Sequence, residues 1–326
     1  MALTSLLHPD LFTKKQQLAS TREGYGAGML ELCAKNPRVV VLTADLGEST
    51  KVEACAKAFP DRFIDVGVAE QNLIGISAGL ALAGKIPFAS SFAVFLPGRC
   101  WDQLRVSVCY ANANAKFIGS HAGITTGPDG ATHQALEDIA LMRVLPNMTV
   151  LAPCDFEEAR KATLALAKHK GPAYLRLTRE KGPVIFQKTG TFAIGKNNVL
   201  LPGEHVTIAA SGPLVYEALL SARLLAKKKI QAEVINCSSI KPFDTDTLVK
   251  SVKKTRCCVT VEDHQTTGGL FGVVAETLAR SFPVPVEAIG MHDCFGESGQ
   301  PQELLAKFGM TAEHIAQAAL RVRERR

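Results

Sequence analysis

The chain has 326 residues, a length that favours two domains, each large enough to bury its own core. Hydrophobic residues make up 47% and charged residues 21%, which excludes a disordered chain and a coiled coil, and a net charge of +6 over this length is too weak for a nucleic-acid binder. Apolar runs such as 74–83 are broken by Gly75, Ser77 and Gly79 and fall short of the ~20 residues a membrane span needs, Met1 to Lys15 lacks a secretory pattern, and nine scattered cysteines include no C-x-x-C pair. A soluble cytoplasmic protein with reduced thiols, no membrane partner and no nucleic-acid partner is the expectation.

The first half alternates helix and strand. Ser20 with Glu23 three residues on forms a capping box, and Tyr25, Met29, Leu32 and Cys33 then share one helical face ending near Asn36 and Pro37. Val39 to Thr43 reads as a strand buried on both faces, and similar runs recur at 63–66, 86–91, 116–119, 148–151 and 173–177. Between them the clearest helix spans 156–169, with Asp155 as cap, Glu158 completing a second box, and Gly171 and Pro172 as stop. Periodicity weakens from Gly182 to Pro202. Beyond it strands are expected at 206–210, 232–236, 257–262 and 286–289, each pair separated by a helix-length crossover and hence parallel. The expected division is a first domain over 14–185, a linker over 186–200 and a second domain over 201–326. The fold class is α/β, two domains of mainly parallel sheets flanked by helices.

Several segments carry chemistry. Val66-Gly67-Val68-Ala69-Glu70-Gln71-Asn72 sets a carboxylate after a buried strand and ahead of an apolar helix. Desolvation there favours the protonated form or a strong hydrogen-bond partner, the setting of acid/base work, although position alone is equally met by a glutamate opposing the helix macrodipole. The loop after strand 116–119 holds His121, Asp129 and His133 among glycines, at a strand end where open α/β sheets bind ligands. It reads as proton transfer and hydroxyl recognition, with an ordinary polar loop as the plain alternative; its histidine spacing matches no standard zinc site. Phe92 and Phe95 can stack on a planar ring but on spacing alone belong to a core. Arg22 and Arg179 lie at segment ends, as surface arginines or as a fork for phosphate. Gly268-Gly269-Leu270-Phe271-Gly272 lacks the full dinucleotide fingerprint and reads as tight helix packing.

In chain order, Ser20-Thr21-Arg22, Thr43-Ala44-Asp45-Leu46, Gly67 to Asn72, Phe92 with Phe95, Gly119-Ser120-His121, Gly127-Pro128-Asp129-Gly130 with His133, and Leu177-Thr178-Arg179 resemble the second domain of transketolase, a thiamine diphosphate enzyme family. Val261-Glu262-Asp263-His264 and the stretch Gly296 to Gly309 are similar to its third domain. The resemblance covers nearly the whole chain. It implies a pyrimidine-binding domain followed by a transketolase C-terminal domain. It also implies that Glu70 bonds the N1′ nitrogen of the cofactor's aminopyrimidine and so favours the tautomer that removes the thiazolium proton. Phe92 and Phe95 would flank that ring, and Asp45 would lie near cofactor and interface. His121 and His133 would contact the reacting carbonyl and hydroxyls, Asp129 a donor hydroxyl, and Arg22, Ser49, His121 and Arg179 the sugar-phosphate end.

Two departures stand out. Gly98 occupies a place where relatives often carry an aromatic or long side chain, and no Gly-Asp-Gly segment followed by asparagine is present to bind Mg²⁺ and diphosphate. The resemblance therefore implies the carboxyl-terminal subunit of a split transketolase. Mg²⁺ ligands are then expected mainly on a separate amino-terminal diphosphate-binding subunit, the assembly is expected to be a dimer of heterodimers, and the substrates are sugar phosphates. The rival readings are the beta subunit of a 2-oxo acid dehydrogenase and a non-catalytic interaction subunit of the same fold.

Overall fold

The computed structural model describes residues 4–326. Among these residues the chain forms a seven-stranded sheet, a five-stranded sheet and a two-stranded ribbon in which Leu18–Ala19 pairs with Gly182–Pro183. The seven-stranded sheet runs in the order Ser239–Lys241, Thr149–Leu151, Ala173–Arg176, Lys116–Ser120, Ile86–Phe92, Val39–Thr43 and Phe63–Asp65. All neighbours are parallel except the first pair. That antiparallel edge strand comes from the second half of the chain, so the two halves are joined by backbone hydrogen bonds. Its three residues carry no alternating pattern of their own, and the sequence gives no signal for it. The five-stranded sheet has the order Val286–Met291, Cys258–Gln265, Val206–Ala210, Ala232–Asn236 and Asn198–Leu201, parallel but for the last strand. The fold is thus the expected two-domain α/β architecture with mainly parallel sheets.

Local structure follows the capping chemistry. Ser20 accepts the Glu23 N–H, and the Glu23 carboxylate accepts the Ser20 N–H, so helix Thr21–Lys35 starts on a complete capping box. Helix Phe156–Leu166 is capped by Asp155 as expected, but Glu158 reaches one residue further back and accepts the Cys154 N–H. The other Asp155 oxygen takes the Ile185 and Phe186 N–H groups and binds the ribbon region to this helix. At helix Leu270–Ser281 the Glu262 carboxylate accepts the Leu270 and Phe271 N–H groups. A Cβ at Gly269 would overlap that carboxylate, so the glycine pair serves close packing, as its sequence implies. Helices Thr21–Lys35 and Phe156–Leu166 cover one face of the large sheet. A second core, under helix Glu70–Leu82, continues into helices of the second half. Among the described residues no helix is long and apolar enough to cross a membrane.

Candidate active site

Five adjacent parallel strands of the large sheet end on one edge, and their carboxyl ends carry the candidate residues. Strand Lys116–Ser120 leads into His121, Ile86–Phe92 into Phe92 and Phe95, Val39–Thr43 into Asp45, Phe63–Asp65 into the turn before Glu70, and Ala173–Arg176 into Arg179. The start of helix Thr21–Lys35 is stitched to this edge, since the Thr178 N–H donates to Thr21 Oγ1 over 2.8 Å. That stitch sets Arg22 beside Arg179, where its Nε donates to the Arg179 carbonyl over 3.2 Å.

Two connected groups result. In the first, the Phe92 and Phe95 rings lie 5.8 Å apart near parallel, and the His121 imidazole stacks on Phe92 at 3.9 Å. His133 meets Phe95 edge-on at 5.4 Å. Glu70 opens helix Glu70–Leu82 and is 3% exposed, and its Oε2 accepts from Arg99 Nη1 at 3.0 Å. The Arg99 guanidinium lies 4.6 Å over the Phe95 ring and so links the carboxylate to the aromatic wall. In the second group, Arg22 Nη1 donates to the Ser49 carbonyl over 2.9 Å, while Arg179 Nη1 donates to Asp129 Oδ1 over 3.0 Å and to the Thr126 carbonyl. Asp45 joins neither group. Its side chain is exposed, its φ is positive, and its N–H donates to Asp65 Oδ1, the oxygen that also accepts the Gly67 N–H.

His121 ties the two groups together electrostatically. Burial, followed by the nearby cations Arg22 and Arg179 and by His133 and Lys51, lowers its pKa to about 3, so the ring is neutral at physiological pH. Its Nδ1 is engaged with Ser120 Oγ at 3.0 Å, and Nδ1 of His133 with Thr132 Oγ1 at 2.9 Å, which leaves Nε2 of both rings for a ligand. Burial also lowers the Arg22 pKa, with Arg179 adding to the effect. An anion received between the two guanidiniums relieves that repulsion.

Arg99 is the residue that sequence reasoning misses. It follows Gly98, whose missing Cβ faces open space, and its guanidinium lies over the Phe95 ring. An arginine four residues after a phenylalanine is the signal available, and it is shared by many surface helices.

The fold agrees with comparisons to known proteins. Residues 17–184 match the family description "Transketolase, pyrimidine binding domain" and residues 195–315 "Transketolase, C-terminal domain". The 6-deoxy-6-sulfo-D-fructose transketolase subunit SqwH of Clostridium sp. (strain MSTE9) is 44% identical over 94% of this chain and 95% of its own length. Human transketolase is 35% identical over 92% of this chain but 48% of its own length. A solved structure described as a split gene transketolase, inactive beta4 tetramer, superimposes with a TM-score of 0.89 at 46% identity, covering 94% of this chain and 99% of that one. The chain belongs to the transketolase family and carries the pyrimidine-binding and C-terminal domains of that thiamine diphosphate-dependent family.

Proposed function

We propose that this chain is the carboxyl-terminal subunit of a split transketolase, transferring a two-carbon ketol unit from a ketose phosphate to an aldose phosphate. The observation that carries the reading is the continuity of the strand-end wall: a buried carboxylate, two aromatic faces, a neutral histidine and two converging arginines follow one another along one edge of the sheet. The residues present fit the pyrimidine end of thiamine diphosphate, because Glu70 is a buried acid at a helix start, linked through Arg99 to the wall formed by Phe95 and Phe92. When bound, the cofactor supplies the electron sink for the carbon–carbon bond that breaks beside the donor carbonyl.

This chain's own residues do the rest. Glu70 holds a proton at the pyrimidine N1′. Phe92 and Phe95, stacked on one another, would form one wall beside the ring rather than flank it, and would keep water from it. His121 and His133 present Nε2 to the reacting carbonyl and its hydroxyls, and a neutral His121 serves as hydrogen-bond partner rather than as a competing cation. Arg22 and Arg179 receive the phosphate beside Ser49, and Asp129, oriented by Arg179, reads a donor hydroxyl. Asp45, outside this wall, is assigned to the approach of the partner chain.

We assign the Mg²⁺ ligands and the diphosphate grip to a separate subunit because this chain aligns with full-length split-gene relatives and with only about half of human transketolase. Helix Glu70–Leu82 offers a surface for assembly: Val68 and Leu82 are 74% and 72% exposed, and Gly75 and Gly79 between them face open space. Close backbone approach of a neighbouring helix there fits a dimer of heterodimers built around the carboxylate. The test is to reconstitute this chain with a diphosphate-binding transketolase subunit, thiamine diphosphate and Mg²⁺, and to assay ketol transfer and 2-oxo acid decarboxylation side by side. Ketol transfer alone is the expected result; decarboxylation alone would assign the site to the 2-oxo acid dehydrogenase class instead.

A further inference from the structure

The two second-half segments that resemble the family, around 261–264 and 296–309, bind no part of the strand-end wall directly. Both converge on the loop that carries His121, Asp129 and His133. Asp263 is fully enclosed and turns its carboxylate to the base of this loop: Oδ1 accepts the Ile124 N–H at 2.9 Å, and Oδ2 accepts Thr125 Oγ1 at 3.0 Å and the Thr125 N–H at 3.4 Å. A Cβ at Gly123, whose φ is +85°, would overlap that carboxylate, so the loop is shaped to receive it. The Asp263 carbonyl accepts Arg176 Nη2 at 2.7 Å, and Arg176 is itself paired with Asp138 on the first-half side. On the opposite flank Gln134 Nε2 donates to the Glu297 carbonyl over 2.9 Å and to the loop carbonyls of Ile124 and Gly127. Pro301 lies against the Gly127 turn. The loop is therefore held from two sides by the second half, while its own backbone contributes three positive-φ glycines and His121 with φ 59°.

We propose that Asp263 is a positioning residue for the transfer reaction, acting from the C-terminal domain by fixing the loop 121–134 that presents His121, Asp129 and His133 to the sugar. The role rests on the transketolase reading given above, and it gives the second domain a direct part in donor recognition. Asp263 makes no hydrogen bond to Glu70, Phe92 or Phe95, which lie on other strand ends, and reaches the phenylalanine wall only through His121 and His133 at the edge of the loop. A carboxylate suits the position because three donors converge on its two oxygens; an amide turns one of these acceptors into a donor facing Thr125.

The experiment uses the assembled complex and two variants, Asp263→Asn and the milder Thr125→Val. Three quantities are measured: kcat and KM for a ketose phosphate donor, the Kd of thiamine diphosphate by titration, and amide hydrogen exchange over 121–134 and 70–82. Asp263→Asn is expected to lower donor kcat/KM at least tenfold and to raise exchange in the loop by a similar factor. The thiamine diphosphate Kd should stay within twofold and exchange in helix Glu70–Leu82 should not change. Thr125→Val should shift the same quantities about threefold. Unchanged loop exchange in both variants would overturn the proposal, as would a cofactor Kd that weakens in step with kcat/KM. Failure of Asp263→Asn to assemble, with Thr125→Val behaving as wild type, would also overturn it. A wild-type complex without ketol transfer would instead refute the transketolase reading, and the exchange measurement would still decide whether Asp263 holds the loop.

Discussion

Glu70 shows how much one side chain can disclose. Its place between a strand and an apolar helix marks a costly carboxylate, and the structure buries it, although the strand before it, Phe63–Asp65, is a half-exposed edge strand rather than the buried one expected. Replacing it with glutamine removes a proton carrier while keeping shape and hydrogen bonding. Ketol transfer by the assembled complex should then fall by at least ~10²-fold, with assembly on a sizing column unaltered. Arg99 was not legible, because its role arises from a tertiary meeting of two segments rather than from spacing. Arg99→Ala leaves the Glu70 carboxylate enclosed without its cation and is expected to destabilise the free chain by about 1–2 kcal/mol, discounted for the half-exposed guanidinium and readable as a lower melting midpoint. In the sequence His264 stands out only as part of the Val261-Glu262-Asp263-His264 motif. It is fully enclosed, and burial lowers its pKa to about 4. Its neutral form is thus favoured in the folded chain, the unfolded chain binds more protons below its ordinary pKa near 6.5, and the associated stability is lost as pH falls from ~6.5 towards 4. Thermal melts across that window should show a shallower acid loss in His264→Asn than in wild type; parallel curves would refute the assignment.

Among the elements, helix Thr21–Lys35 was located by its caps but not explained by its pattern. Its glycines supply the explanation. A Cβ at Gly24 would overlap the Phe156 carbonyl and one at Gly26 the Lys51 carbonyl, so the helix lies pressed against helix Phe156–Leu166 and the 51 segment. That approach also places Arg22. Gly24→Ala is expected to cost about 1–3 kcal/mol through overpacking and to weaken donor binding at the Arg22 end, measurable as a raised KM. Gly75 and Gly79 in helix Glu70–Leu82 behave oppositely, because nothing in this chain lies near their missing Cβ atoms. Alanine there should stabilise the isolated chain by about 0.5–1 kcal/mol per site through helix propensity, yet loosen the assembled complex in a dissociation measurement. Segments such as Val39–Thr43 and Val206–Ala210 were legible because burial on both faces demands a nearly continuous apolar run. The edge strand Ser239–Lys241 was not, being short and stabilised by its partner strand from the other half.

For the molecule as a whole, the two halves share a sheet edge, an apolar core and the 121–134 loop, so the second half helps to build the candidate site. The candidate wall was legible residue by residue through the family resemblance. What sequence could not supply was its division into a group around Glu70 and the two phenylalanines and a group around the two arginines, since that depends on which strands lie side by side. The account rests on a pyrimidine ring held at Glu70 by this chain while another subunit grips the diphosphate. The most direct measurement is ketol transfer from a ketose phosphate by this chain alone, by the chain mixed with a diphosphate-binding transketolase subunit, and by the same mixture carrying Glu70→Gln, each with thiamine diphosphate and Mg²⁺. Transfer in the wild-type mixture only is the predicted result; transfer by the isolated chain, or undiminished transfer in the Glu70→Gln mixture, would contradict it.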